Sequence, residues 1–379
     1  MKRQAGYYEK LGSINHFIPA DLPPENPPFE LTPQIAERYG AALQWLSKLD
    51  EAAGRLPNSS RFLKAYIIKE AMLTSDIEGI HTTLLDVYTQ PLSGSKINKP
   101  TQLVLNYAKA LEAALVMMKE QGLPIVNRVI LRAHEILMTV GDSSKANPGH
   151  FRKQSVRVGQ LIPPPAHMVP ELMASLEKFI NKQVETATTI SPLIKAGLAH
   201  VQFETIHPFL DGNGRIGRLL IVLMFMEDNL LHTPILYPSY FFKKHQMAYY
   251  KHLDSVRTQG DFEGWVLFYL TAIEESSRDA YLRAKEIEKL YQQLHVIVQE
   301  NSLFARKRDT AALALEQLFE YPVISIGHLA DLMGKNYNTA HNIIKVFIEL
   351  GWLTKQTKYS RNKLYSFTPY LEILEKELD

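Results

Sequence analysis

The chain contains no cysteine, which excludes disulfides, thiolate metal sites and cysteine nucleophiles and fits a reducing compartment. It has no excess of either charge: Lys+Arg 42 against Asp+Glu 40 gives a formal net charge of +2 over 379 residues. Any surface for nucleic acid or an anionic membrane must therefore be local. Long apolar runs are missing too. The longest, LLIVLMFM at 219–226, is far short of a bilayer span, and MKRQAGYYEK at the start has no apolar core behind its basic residues. Nothing repeats at a fixed period, so a solenoid is excluded. With 46% hydrophobic and 22% charged residues, the expectation is a soluble, cytoplasmic protein of two or three domains with no membrane segment.

What is present reads as mainly α. Residues 16–33, HFIPADLPPENPPFELTP, carry six prolines and predict an extended arm, packed through Phe17, Ile18, Leu22 and Phe29. Helical periodicity runs from Thr32 to about Ile80, its second segment, SSRFLKAYIIKEAMLTSDIEG, starting at a serine cap and closing on Gly79. Further helices are expected at about 101–121, 124–140, 168–184, 191–206, 213–228, 245–253 and 261–300. FRKQSVRVGQLIPPPAHM, 151–168, alternates polar and apolar residues before three prolines and predicts a short β-hairpin or flap. After about 304, three compact helices and a basic ribbon, TKQTKYSRNKLYSF, predict a C-terminal winged helix-turn-helix domain.

The densest stretch is HPFLDGNGRIGR, His207 to Arg218, between two apolar helices. Gly212 and Gly214 let the loop adopt positive φ and let backbone N–H groups approach a ligand, at a helix N-terminus that favours an anion. Arg215 and Arg218, three apart, add two charged forks for phosphate oxygens. Asp211 offers a hard oxygen suited to Mg²⁺ shared with substrate oxygens and water. His207 is the natural general base, with a pKa near neutrality. Singly, each reads equally well as a turn, a structural histidine or solvated arginines. Together they describe transfer of a phosphorus-containing group from a nucleotide to an alcohol.

This stretch resembles the signature of the Fic family, His-Pro-Phe-x-Asp-Gly-Asn-Gly-Arg-x-x-Arg, at every fixed position. The resemblance implies a helical Fic domain that transfers AMP from ATP to a Ser, Thr or Tyr hydroxyl of a protein, releasing pyrophosphate. Carried over, His207 is the base, Phe209 a core anchor and Asp211 the Mg²⁺ ligand. Gly212, Asn213 and Gly214 form the anion cradle, Arg215 contacts the phosphates and Arg218 holds the γ-phosphate. The related Doc kinases carry lysine where Gly214 stands, so nucleotidyl transfer is favoured over phosphorylation. Arg152 and the PPP at 163–165 resemble the two ends of the family's flap, which pairs with the target by strand addition. Tyr249 and Tyr250 resemble the aromatic pair bordering the adenine pocket, with core packing an almost equal reading; Trp265 is expected in the core.

A second motif precedes it. In TSDIEG, a carboxylate at Glu78 faces the negative end of the helix dipole and calls for a compensating cation. Thr74, Glu78 and Gly79 match the inhibitory Ser/Thr-x-x-x-Glu-Gly/Asn motif, which implies that Glu78 pairs with Arg218 and blocks the γ-phosphate site. The same glutamate leaves a deAMPylating second activity open. The domains expected are a Pro-rich arm and first helix (1–57), a Fic domain (58–300) with its inhibitory helix at 58–79, and the winged helix (304–379). There Asn336, Asn338, Thr339, His341, Asn342 and Lys345, with Lys355, Lys358, Arg361 and Lys363 of the ribbon, offer groups for DNA; protein binding or dimer formation is the alternative. A DNA-binding regulator whose Fic domain senses nucleotide, a transferase using another donor, self-modification and a homodimer also stay open. His200 with His207, and His134–Glu135, lack the further ligands of a metal site.

Overall fold

Proline sets where helical structure begins. Prolines lack a backbone N–H and clash with the preceding turn, and the first helix, α1 (Pro33–Arg55), starts at the last of the arm's six. Ahead of it lies a hairpin that the proline pattern did not disclose: β1 (Gly6–Leu11) pairs antiparallel with β2 (Ile14–Pro19), Tyr8 opposite Phe17 and Tyr7 opposite Ile18. Phe17, Ile18 and Leu22 are buried and Phe29 packs against the core, as expected of a packed arm. The structure, a computed structural model, describes residues 3–55, 60–94, 96–139, 147–182, 190–356 and 363–376.

The helical body continues through α2 (Ser60–Ile77) and a short α3 (Leu84–Thr89), the latter started by the Thr83 hydroxyl accepting from the Asp86 N–H. Then come α4 (Lys99–Lys119), α5 (Asn127–Leu137), α6 (Val169–Ile180), α7 (Pro192–Ile206), α8 (Asn213–Glu227), α9 (Ser239–Lys244), α10 (Gln246–Gln259) and α11 (Phe262–Glu300). Helices apolar on all sides belong inside a protein. Accordingly α7 and α8, whose residues are almost all buried, form the centre. α2, α4 and α5 pack on α8, while α6, α10, α11 and β2 pack on α7. The 39-residue α11, about 58 Å long at 1.5 Å per residue, carries α1 along its side.

The 151–168 segment folds back on itself only through one bridge, Val158 with Leu161, each N–H donating to the other's carbonyl at 2.9 Å. Prolines 163–165 prevent a longer ladder. Instead the outgoing limb meets β2, where the Phe17 N–H donates to Ile162 O at 2.9 Å and His16 Nδ1 lies 2.7 Å from Pro163 O. The flap thereby extends the N-terminal hairpin, a contact between segments far apart in sequence.

Beyond α11 the order is α12 (Arg308–Glu320), β3 (Val323–Ser325), α13 (Ile326–Met333), α14 (Tyr337–Glu349), β4 (Leu353–Lys355), β5 (Leu364–Phe367) and α15 (Thr368–Glu375). The strands form one antiparallel sheet in the order β3-β5-β4. Ser325 caps α13, Gly334 at φ +61° ends it, and Asn336 caps α14. The three helices and the ribbon thus stand in the expected order, with β3 and α15 added to them. Lys355 and Lys363 are exposed; Lys358 and Arg361 lie outside the described residues. No helix among the described residues is long and apolar enough to cross a membrane.

α15 is clasped by cations from the central body. Arg283 of α11, fully buried, donates to the carbonyls of Ile373 and of Lys376 (2.9 Å) and pairs with Asp279 at 3.1 Å. Asp279 also accepts from the Tyr237 hydroxyl, and Lys69 of α2 donates to Leu374 O at 2.8 Å. Orphan carbonyls at a helix C-terminus need such donors. Replacing Arg283 by Met should leave Asp279 buried without its cation and cost about 3–5 kcal/mol. Urea unfolding checks the loss, and hydrogen exchange should rise first in α15.

Candidate active site

The loop between α7 and α8 is held shut by its own side chains. α7 ends at His207, a non-glycine residue at φ 51°, ψ 61°, whose N–H donates to Phe203 O. Such left-handed residues are uncommon and mark places where surroundings over-determine the backbone. Phe209 is buried and stacked on the His134 ring, centroids 3.7 Å apart. The Asn213 amide staples the loop, Oδ1 accepting from the Phe209 N–H at 2.8 Å and Nδ2 donating to Phe209 O at 2.9 Å. The side chain of Asn213 is therefore committed to the loop, and only its backbone belongs to a cradle. Gly212, at φ +80°, caps α8 without a side-chain hydrogen bond to the first-turn amides; a Cβ there would sit 3.1 Å from Met138 Sδ.

The charged groups around this helix start are unevenly paired. Arg215 is buried, and its Nε and Nη1 have no partner among the described residues. Its Nη2 lies 3.6 Å from Met138 Sδ and 3.8 Å from Asp211 Oδ1. Asp211 itself is exposed, its side chain at 66%. A buried cation with two idle donors is costly unless an anion meets it, and the unpaired amides of the α8 N-terminus point to the same kind of ligand. His207 Nδ1, also buried and without a hydrogen-bond partner among the described residues, lies on the same loop.

Arg218 is paired with Glu78, as expected, and also with Thr74 of α2. Its Nε donates to Thr74 Oγ1 at 2.7 Å, and Nη2 donates to Thr74 O at 3.1 Å and to Glu78 Oε1 at 2.6 Å. α2 closes in a Schellman motif: Ile80 N–H to Ser75 O and Gly79 N–H to Asp76 O, both 3.0 Å, with Gly79 at φ +73°. That turn delivers Glu78 over α8, so close that a Cβ on Gly214 would overlap Glu78 Oε1 and stand 3.0 Å from both Arg218 Nη atoms. Burial pushes the Glu78 carboxyl up, but Arg218, Arg215 and His207 outweigh it and hold the group below its ordinary value. Burial likewise pulls Arg218 down, and Glu78 and Glu204 more than restore it, leaving it raised.

Several supporting residues gave no usable sequence signal. His134, set aside as half a metal motif, is a neutral bracket: the Gly149 N–H donates to its Nδ1 at 3.1 Å and its Nε2 donates to Asp211 O at 3.0 Å. His200 similarly links Gly217 O through Nδ1 (2.9 Å) and the Tyr249 hydroxyl through Nε2 (2.8 Å). Tyr249, expected beside an adenine, is buried at 1% exposure among Phe242, Trp265 and His200. Its hydroxyl bond to His200 draws it into the core, and the half of the pair that a ligand can reach is Tyr250, 44% exposed. Glu204, one turn ahead of His207, lies buried against Gly217 with Oε1 unpartnered. A buried residue of this kind looks like any other helical position until its neighbours are known.

Comparison with known proteins agrees with this geometry. Residues 124–225 match the model of the Fic/DOC family and residues 36–116 that of the Fic/DOC family N-terminal region. The protein adenylyltransferase Fic of Drosophila erecta is 33% identical over 194 residues, 51% of this chain and 36% of that protein. Its Drosophila melanogaster counterpart is 32% identical with the same coverage. A Fic family protein from Desulfovibrio desulfuricans G20 shares the fold with a TM-score of 0.54 at 24% identity, over 93% of this chain and 99% of its own. Fic-1 from C. elegans does so with a TM-score of 0.52 at 22% identity, over 68% of this chain and 75% of its own. The fold and site thus define a Fic-type helical protein. The chain belongs to the Fic/DOC family, and its match spans about a third of the length of the curated relatives.

Buried titratable groups give the site a pH signature. Burial holds the imidazoles of His134 and His207 down to about 4 and that of His200 to about 3. Below pH about 6.5 the unfolded chain takes up protons that these folded groups refuse, so stability falls as pH drops toward 4. Burial acts oppositely on Glu204 and Glu70, raised to about 7 and about 8. They stay protonated where the unfolded chain ionises, so their contribution is lost as pH rises from about 4.5 through 7 and 8. Stability from these groups should peak near pH 6.5, and thermal unfolding between pH 4.5 and 8.5 checks it. Glu70→Gln should flatten the decline above pH 7 and steepen the rise below pH 6.5.

Proposed function

We propose that this protein is an adenylyltransferase that moves AMP from ATP to a Ser, Thr or Tyr hydroxyl of a protein, and that Glu78 holds it inactive. The observation that carries the reading is the contrast between two buried arginines. Arg215 has idle donors at the α8 N-terminus, and Arg218, three residues on, is met by Thr74 and by the Glu78 carboxylate. In the reaction His207 takes the hydroxyl proton, the hydroxyl oxygen bonds to the α-phosphorus, and the bond to the β-phosphate breaks, its electron pair leaving with pyrophosphate. The α8 amides and Arg215 hold phosphate oxygens where charge develops. Arg218 takes the γ-phosphate once Glu78 yields it, since a triphosphate and a carboxylate cannot share one guanidinium edge. Tyr250 is the aromatic group available beside the nucleotide.

Mg²⁺ fits the residues in one way only. Among the described residues no group of three or more His, Cys, Asp or Glu could hold a metal, so the ion would share the exposed Asp211 carboxylate with phosphate oxygens and water. Bound so, it would offset phosphate charge. The names of the Drosophila relatives support ATP as donor and a protein as acceptor.

We divide the chain into an arm with its first helix (1–57), a Fic domain (58–300) and a winged helix (304–379). Exposed Asn338, Asn342 and Lys345 on α14, with Lys355 and Lys363 beside it, favour a second reading in which this module contacts DNA. In that case Lys355→Ala should weaken binding and lower the log–log salt slope by about 1.

Incorporation of label from α-labelled ATP with Mg²⁺ into protein, alone and in cell extract, tests the enzyme. Glu78→Gly should raise labelling by on the order of 5- to 150-fold, the usual range of a coupling between sites. Adding His207→Ala should lower it again by about 10²- to 10⁴-fold. A Glu78→Gly protein that binds ATP and labels nothing would refute the transferase reading. The same change should cost only about 1–3 kcal/mol of stability, because Thr74 keeps two hydrogen bonds to Arg218 and Glu78 is partly solvated.

A further inference from the structure

Arg152 is a buried arginine whose guanidinium is spent on main-chain oxygens. Its Nε donates to His207 O at 2.8 Å, Nη1 to Gln154 O at 3.0 Å, and Nη2 to Pro164 O at 2.6 Å and Ile206 O at 3.3 Å. Its own backbone N–H donates to Pro208 O at 2.8 Å. These bonds reach three consecutive residues, 206 to 208, where α7 ends and the chain turns left-handed at His207. They also reach both limbs of the flap, at Gln154 and at Pro164, on either side of the Val158–Leu161 bridge. A planar, forked cation can serve four carbonyls in fixed directions, which a lysine ammonium cannot do. The last carbonyls of a helix otherwise want water or a cap.

We propose that Arg152 is the positioning residue of this site: it locks the backbone of the base His207 and the two limbs of the flap into one frame, so that base and acceptor segment keep a constant separation. Its activity arm rests on the transferase reading above, whereas its structural arm does not. The frame explains how an uncommon backbone conformation is held at His207 by a residue 55 positions away. It also explains why a flap with a single bridge of its own stays in place beside the loop. Arg152 acts on the imidazole as well as on the backbone. The charged groups facing His207 are Arg257 from α10, Arg152 from the flap and Glu78 from α2, with the Glu204 carbonyl from α7. Burial dominates in keeping the ring neutral, and the two arginines reinforce it against Glu78 and that carbonyl.

The test uses the full chain carrying Glu78→Gly, with Arg152→Met or Arg152→Lys added. ATP affinity should stay within about twofold while the rate of AMP transfer falls roughly 10²-fold, a loss in turnover and not in KM for ATP. By NMR, the His207 imidazole, identified by its absence in His207→Asn, should titrate at higher pH in Arg152→Met, and less so in Arg152→Lys. Flap amides should exchange faster in both. If Arg152→Met does not fold, the Lys variant decides, since it keeps the charge and loses the fork. Transfer within about threefold of the parent with an unmoved His207 midpoint overturns the proposal. Parallel loss of ATP binding and transfer in both variants also overturns it, because that is general collapse. If the Glu78→Gly parent transfers nothing, the transferase reading fails by itself. The His207 midpoint and flap exchange then still decide on the frame: unchanged, they overturn it; shifted, they support it.

Discussion

The guanidinium of Arg218 is buried at the centre of the molecule, and a buried charge stripped of all its partners costs a fold several kcal/mol. That requirement reaches outward from α8. It needs Thr74 and Glu78 on one side of α2 at its C-terminal end, and it needs α2 to stop where Glu78 becomes the last residue before a left-handed turn, hence Gly79. It also needs a residue without Cβ at 214, or the carboxylate could not approach. Two residues 140 positions apart in the chain, Glu78 and Arg218, are thus two halves of one electrostatic constraint. On the function proposed above, the same constraint would make Glu78 an inhibitor as well as a structural partner, because its oxygen meets the guanidinium that the γ-phosphate would use.

The two histidine brackets of the site stay uncharged. His134 and His200 each use one ring nitrogen as donor and the other as acceptor, so neither can take a second proton without losing a bond. Buried in this way they behave as rigid brackets, one under Phe209 and Asp211 and the other under Gly217. Neutral brackets add no charge beside Arg215, whose Nε and Nη1 stay idle among the described residues, and that suits a ligand bearing several negative charges. Arg152 adds the reverse case, a cation without a carboxylate partner, dispersed over main-chain dipoles where a full negative charge would compete with the ligand for the cradle.

Legibility followed the range of the forces involved. Helix periodicity, caps and the proline barrier are local, and α1, α2, α4 to α8, α11 and the order of the C-terminal elements were readable. The β1–β2 hairpin was missed because its strands carry no alternating pattern: from His16 to Pro19 β2 is buried on both faces, and β1 is largely exposed on both. The flap was overestimated as a hairpin: it pairs with itself only at Val158–Leu161, and its outgoing limb meets β2 instead, at Phe17–Ile162. Tyr249 and Tyr250 are neighbours of the same type, and nothing in their order says which of them faces His200.

By itself the sequence singled out the residues of the candidate site, because histidine, aspartate, glycines and arginines at fixed spacing around one helix start have few other uses. It also determined that Glu78 needed a cation, because a carboxylate at a helix C-terminus is unfavourable alone. Only the tertiary structure decided which cation answers, that Arg215 is left with idle donors, and that His134 and Arg152 hold the loop. Those outcomes depend on distances between segments tens to hundreds of residues apart. Such distances are set by how α2, α5, the flap and α8 pack together, and no local pattern encodes them.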